Sequence, residues 1–196
     1  MVYTVLASSN WGWARDDSDD DGLEEACIPT NYDIMTTVTM PNTQPLTFLV
    51  MNGPNLGHLG KRQPEIYGHQ SMEDLPDLAR QVLGAAMDSI TLEFYQSNCE
   101  GAMINRLEKA WKTGVHGVAL NAGAYTHTSL ALADCLAWIK IPTVEVHLSN
   151  IWARPEPIRH QSFIGARVVG VIAGFGLLSY ALALQALYQH LHHPSA

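Results

Sequence analysis

The stretch Thr143-Val-Glu-Val-His-Leu-Ser-Asn150 sets Val144, Val146 and Leu148 between Glu145, His147 and Ser149. This is the two-residue period of a β-strand. It puts a carboxylate, an imidazole and a hydroxyl on one face, about 7 Å apart from i to i+2. A carboxylate beside a histidine fixes its tautomer and favours the imidazolium, which is what a general acid requires. The plainer alternative is the polar edge of an ordinary strand, and other residues must decide between the two.

A base is available in the loop Gly60-Lys-Arg-Gln-Pro-Glu-Ile-Tyr-Gly68, where Arg62 stands five residues before Tyr67. Free tyrosine, with a pKa of about 10, is a poor base at neutral pH, but a nearby guanidinium favours the phenolate. Glycines at both ends would let the loop close over a ligand. Asn121-Ala-Gly-Ala-Tyr-Thr-His-Thr-Ser129 offers amides, hydroxyls and an imidazole. It suits a polyhydroxylated ligand, or simply caps a helix through Thr128 or Ser129. Arg154 and Arg159 follow His147 and could hold an anion; the ordinary role of each is a solvated side chain, more so for Arg154.

Other chemistries lack their residues. His190, His192 and His193 lie at the end of the chain without metal-site spacing, and Cys27, Cys99 and Cys135 are few, odd in number and unpatterned. They suit a reducing, cytoplasmic setting better than a disulfide frame. Asn52-Gly-Pro-Asn-Leu-Gly57 has neither the lysine nor the spacing of a phosphate-binding loop. Lys61, Lys109, Lys112 and Lys140 fall in loops or on polar helix faces, not in apolar strands where an amine would be tuned for imine formation.

The elements that must position these groups are legible in order. Leu46–Met51 reads as a buried strand, followed by a Gly- and Pro-rich loop to Gly68. A helix falls within 72–87, capped by Asp74 with Pro76 in its first turn. Ile90–Tyr95 is a second strand. Glu100–Thr113 is a helix with Ala102, Ile104, Leu107, Ala110 and Trp111 on one side. Gly117–Leu120 is a third strand, Thr128–Ile139 a helix, and the Glu145/His147 strand comes next. A loop over 150–166, a strand over 168–173 and a helix from 178 to 191 complete the chain. Strict alternation of strand and helix predicts a doubly wound five-stranded parallel sheet in three layers, α/β/α. Ligands in such sheets gather beyond the carboxyl ends of the strands, where Asn52–Asn55, Asn121, His147 and Ser149 all fall.

The chain has 196 residues, 47% of them hydrophobic, and a formal net charge of −8. That charge is uneven: residues 1–45 hold eight acids against Arg15 alone, while the remainder is nearly neutral. Residues 1–45 are aperiodic, carry the run Asp16–Asp21, and read as a disordered acidic extension before a domain at 46–196. Trp11 and Trp13 are unusual in such a tail. No cluster of Lys and Arg forms a nucleic-acid face. Residues Val168 to Tyr188 carry no charge and are long enough to span a bilayer. Strand, glycine turn and helix explain them better, and no membrane role is expected. Two helices, 128–139 and 178–187, are apolar nearly all round, which predicts a homo-oligomer. Asp134, the one charge on the first of them, is placed to reach a neighbouring subunit or merely to sit in water.

Taken together, Asn52-Gly-Pro-Asn-Leu-Gly, Arg62-Gln-Pro-Glu-Ile-Tyr-Gly, Gln96-Ser-Asn-Cys-Glu-Gly, Asn121-Ala-Gly-Ala-Tyr-Thr-His-Thr-Ser and Glu145-Val-His-Leu-Ser-Asn resemble the type II 3-dehydroquinate dehydratases, in order and with family spacing over about 46–191. The resemblance implies a flavodoxin-like domain assembled as a dodecamer, a tetramer of trimers, without a cofactor. The implied reaction is a hydro-lyase step, the anti elimination of water from 3-dehydroquinate through an enolate to 3-dehydroshikimate. It serves either aromatic biosynthesis or quinate breakdown. Tyr67 matches the family's base, Arg62 the residue that activates it, and Asn55 the asparagine that helps hold the enolate through a water. His147 matches the acid and Glu145 its orienting partner. Asn121, His127 and Arg159 match groups that bind ring hydroxyls, and Leu148 and Ser149 those that take the substrate carboxylate. Asp134 matches an acid lent to the neighbouring subunit. The loop Arg154–Arg159 has one residue more than is usual, near Pro155, Trp152 stands where histidine is common, and residues 1–45 have no counterpart, so Met40 is a plausible alternative start. The rival from another class is a binding module for flavin or nucleotide on the same fold, which would not need the Arg62/Tyr67 and Glu145/His147 pairs.

Overall fold

The computed structural model describes residues 45–59 and 70–193. Arg62, Tyr67, Trp11, Trp13 and Met40 lie outside them. Five strands, β1 (Leu46–Asn52), β2 (Ile90–Gln96), β3 (Gly117–Asn121), β4 (Thr143–His147) and β5 (Gly170–Ala173), alternate with four helices. The helices are α1 (Leu75–Leu83), α2 (Glu100–Lys112), α3 (Leu130–Ile139) and α4 (Leu178–His192). All neighbouring strands are parallel, in the order β2-β1-β3-β4-β5. This is the expected doubly wound sheet, and chain direction across it reverses between β1 and β3.

Alternation along the strands sends side chains into two cores. Phe48 and Val50 of β1, Ala119 of β3 and Val144 and Val146 of β4 pack with Leu75 and Ala79 of α1 and with Ala181, Leu184 and Leu187 of α4. Leu49, Met51, Val118 and Leu120 face the other way, against Met103 and Leu107 of α2 and Leu132 and Leu136 of α3. The uncharged stretch after Val168 resolves into β5, a glycine turn and the 15-residue α4. Among the described residues no helix is long and apolar enough to cross a membrane.

Three local expectations need correction. Asp74 does not cap α1 itself: Ser71 caps the 3-10 turn before it, accepting from the Glu73 N–H while Asp74 reaches back to the Ser71 N–H at 2.8 Å. This reciprocal pair satisfies two donors that a single cap would leave open. The buried face of α2 is Met103, Leu107 and Ala110. Trp111 is exposed and lies edge-on to Trp138 of α3, with ring centroids 5.3 Å apart, so it packs sideways onto a helix and not down onto the sheet. The third correction concerns α4, whose apolar circumference is largely used within the subunit. Tyr180, Ala181, Ala183, Leu184 and Leu187 are buried there, so a second copy is not needed to explain its composition. The reverse holds for α3, where Leu130, Asp134 and Trp138 recur every fourth residue and all stay exposed.

Candidate active site

The carboxyl ends of β1, β3 and β4 open into a cavity of about 180 Å³. It is lined by Pro54 and Asn55 after β1, Asn121 at the end of β3 with Gly123 and His127 beyond it, and His147, Leu148 and Ser149 at the end of β4, with Arg154 and Arg159 from the following loop. Eight of the predicted site residues are brought together here: Asn55, Asn121, His127, His147, Leu148, Ser149, Arg159 and, directly behind His147, Glu145. Asp134 does not join them and stands exposed on α3. Arg62 and Tyr67 fall outside the described residues.

Close approach of β1 to β3 shapes the cavity floor. Gly53 donates its N–H to the Asn121 carbonyl at 2.7 Å, and a Cβ on Gly53 would lie 2.4 Å from the Ala122 carbonyl oxygen. Only glycine permits that contact. The chain then turns at Asn55, whose φ of 66° is left-handed, a region asparagine tolerates better than other non-glycine residues. Its N–H is held by Asn98 Oδ1 at 2.9 Å, and Asn98 is held in turn by Gln96 Nε2 at 3.0 Å. The motif Gln96-Ser-Asn98 therefore braces Asn55 from the end of β2, a task that no spacing in the sequence pointed to.

Asn121, the last residue of β3, is held on both ends of its amide. Register pairs it with Asn52, and both side chains are buried and share the hydroxyl of Tyr180 on α4. That hydroxyl donates to Asn52 Oδ1 at 2.6 Å and accepts from Asn121 Nδ2 at 2.9 Å. Asn121 Oδ1 accepts the Gly123 N–H at 3.2 Å, so the amide cannot flip. Burial pushes the Tyr180 hydroxyl well above the ordinary tyrosine range and outweighs the opposing hydrogen bond from Asn121, so Tyr180 remains a neutral linker and is no candidate base. Replacing Tyr180 with Phe strands two buried polar groups at about 1–3 kcal/mol. The expected result is a melting temperature lower by several degrees, read by calorimetry, with the fold retained.

The acid candidate sits on the opposite face of the sheet. Glu145 has no exposed surface and His147 only 5%. His147 Nε2 meets Glu145 Oε1 at 2.6 Å. A carboxylate can only accept, so Nε2 carries the hydrogen and Nδ1 is the remaining ring nitrogen. Glu145 Oε2 accepts from the Ser162 hydroxyl at 2.7 Å. The two-residue period predicted for 143–149 holds for this pair, but β4 ends at His147, so Ser149 lies beyond it. The carbonyls of His147 and Leu148 are taken by the N–H groups of Gly174 and Gly176, which turns the chain at the cavity wall. Arg154, expected to be solvated, donates to Ser149 Oγ at 3.0 Å, and its carbonyl is met by His160 Nε2 at 2.8 Å. The loop thus folds Arg154 back onto the β4 end, and two guanidinium groups line the cavity.

His127 lies parallel to His147, with centroids 6.4 Å apart and planes within 13°. Its Nδ1 meets the Gln161 carbonyl at 2.6 Å, which makes Nδ1 the protonated nitrogen. The cap of α3 is Ser129, accepting from the Leu132 N–H at 2.9 Å, and so the turn both caps a helix and faces the cavity. A cavity with two arginines, two oriented imidazoles and fixed amides can bind a small polyhydroxylated anion and deliver a proton to it. Among the described residues no group of three His, Cys, Asp or Glu could hold a metal ion.

Residues 46–188 match the family described as Dehydroquinase class II. A protein named 3-dehydroquinate dehydratase from Synechococcus sp. (strain CC9605) is 51% identical over 143 residues, covering 73% of this chain and 95% of that one. One of the same name from Exiguobacterium sp. (strain ATCC BAA-1283 / AT1b) is 48% identical over 145 residues, covering 74% and 96%. Among solved structures, a type II dehydroquinase from Butyrivibrio crossotus DSM 2876 is similar with a TM-score of 0.66 and 40% identity, covering 73% of this chain and 97% of that one.

Proposed function

The chain belongs to the class II dehydroquinase family, and from that premise we propose how its own residues carry the reaction. It is a 3-dehydroquinate dehydratase, a hydro-lyase that removes water from 3-dehydroquinate to leave 3-dehydroshikimate. The observation that carries the residue assignment is the buried Glu145–His147 pair at the rim of a cavity holding two arginines.

In this reading Tyr67, kept as phenolate by Arg62, takes the proton next to the ketone. The electrons move onto the carbonyl oxygen as an enolate, which Asn55 helps to hold through a water. The enolate then collapses and the hydroxyl at the far carbon leaves, taking a proton from His147, so that one water is released and His147 is left neutral. Glu145 keeps the ring turned toward the leaving group. Leu148 and Ser149 take the substrate carboxylate through their N–H groups, and Asn121, His127 and Arg159 take ring hydroxyls. Arg154, which the cavity lining adds to this set, supports the carboxylate end by holding the Ser149 hydroxyl. An ultraviolet assay for the conjugated product from 3-dehydroquinate tests the whole reading, and absence of product would overturn it.

Assembly belongs to the same proposal. The outward stripe Leu130–Asp134–Trp138 on α3 sets a carboxylate between large apolar side chains, an arrangement that fits a contact between copies with Asp134 reaching the neighbouring cavity. A dodecamer built from trimers satisfies it. Light scattering coupled to size exclusion should report many subunits, and an active monomer would remove this role from Asp134.

A further inference from the structure

We propose that Ser162 is a positioning residue of the acid, the third member of a Ser162–Glu145–His147 chain. This rests on the reading of His147 as the acid. A serine hydroxyl has one hydrogen. The Gly165 N–H donates to Ser162 Oγ at 2.8 Å, so the acceptor side of that oxygen is engaged and its hydrogen is directed at Glu145 Oε2, 2.7 Å away. Oε1 is engaged by His147. A fully buried carboxylate with a donor on each oxygen has one orientation, and the imidazole bonded to it inherits that orientation.

The fold is built to keep this contact. A Cβ on Gly165 would lie 3.2 Å from Ser162 Oγ and 3.6 Å from Glu145 Oε2, so glycine keeps the approach to the carboxylate open. The Phe163 N–H is anchored on the Thr126 carbonyl at 2.9 Å, one residue before His127, and the Gln161 carbonyl fixes the ring of His127. Ser162 thus sits in a short segment that orients both imidazoles of the cavity while not lining the cavity itself.

That last point separates positioning from binding. Ser162→Ala removes the hydroxyl without touching substrate contacts, and is expected to lower kcat by about 10- to 100-fold with KM within about twofold. Ser162→Thr, which keeps a hydroxyl, should recover most of kcat. Circular dichroism and melting curves of both variants establish that they fold. A kcat for Ser162→Ala within twofold of the parent would overturn the proposal, as would a rise in KM matching the fall in kcat with no recovery by Thr. His147→Ala, assayed alongside, distinguishes the two failures. If it stays active, the reading of the acid has failed; if it is inactive while Ser162→Ala is not, only the role of Ser162 has failed.

Discussion

His147→Ala should lower turnover by about 10²- to 10⁴-fold, the usual contribution of a positioned acid or base, while substrate-like anions still bind. The two effects separate because different atoms are responsible for them. In the proposed mechanism proton delivery to the leaving hydroxyl falls to His147, whereas the anion is assigned to the Leu148–Ser149 turn with Arg154 and Arg159, which line the same cavity. Removing the imidazole also leaves Glu145 Oε1 buried without its partner, and an uncompensated buried carboxylate is strongly destabilising. His147→Gln, which retains an N–H for that oxygen, is therefore the companion variant, expected to be as inactive as the alanine form but more stable. Steady-state rates with calorimetric titration of a substrate-like anion make the comparison. Near-normal turnover in either variant would remove His147 from the role of acid.

Tyr67→Phe is the second large effect expected, with a loss of comparable order, and Arg62→Ala should follow it because in the proposed mechanism the arginine acts through the phenolate. Both should spare binding more than turnover. The alternative route to the same product is an imine on a lysine, which would make these two residues bystanders. Lys109 and Lys112 stand exposed at the end of α2, and Lys140 stands exposed just past α3. None of these three lines the cavity, and Lys61 lies outside the described residues. Borohydride added with substrate should consequently leave the enzyme active and unaltered in mass. A substrate-derived adduct on any lysine, or full activity of Tyr67→Phe, would sink the enolate route.

Much of this was legible before any coordinates. Short apolar runs separated by turn residues located the five strands and four helices of the described residues, although only α1 and α2 have amphipathic spacing and α3 and α4 are apolar nearly all round. The pairing of Glu145 with His147 was legible too, since residues two apart on a strand must share a face. What was hidden is whatever depends on contacts between distant segments. Ser162 has no periodic signature, and its partner is 17 residues away. Asn98 reads as a loop residue until β2 is laid beside β1. Arg154 looks solvated because nothing local shows the loop folding back to Ser149. The burial of α4 was misjudged because Tyr180, a polar-tipped residue in an apolar run, gives no hint that both its partners sit at strand ends.

The Tyr180–Asn52 bond joins residues 128 positions apart, and this has a consequence in time. One end of the cavity frame comes from β1, at the start of the domain, and the other from α4, near its finish. A chain still being synthesised holds Glu145, His147, both arginines and the asparagines before α4 has emerged, yet Asn121 Nδ2 and Asn52 Oδ1 lack their shared Tyr180 partner until that helix docks. Long-range closures of this kind come late in folding, because the loop entropy must be overcome first. Catalytic competence should thus arrive in a single late step, with α4 as the last piece and the nascent chain inert until it is in place.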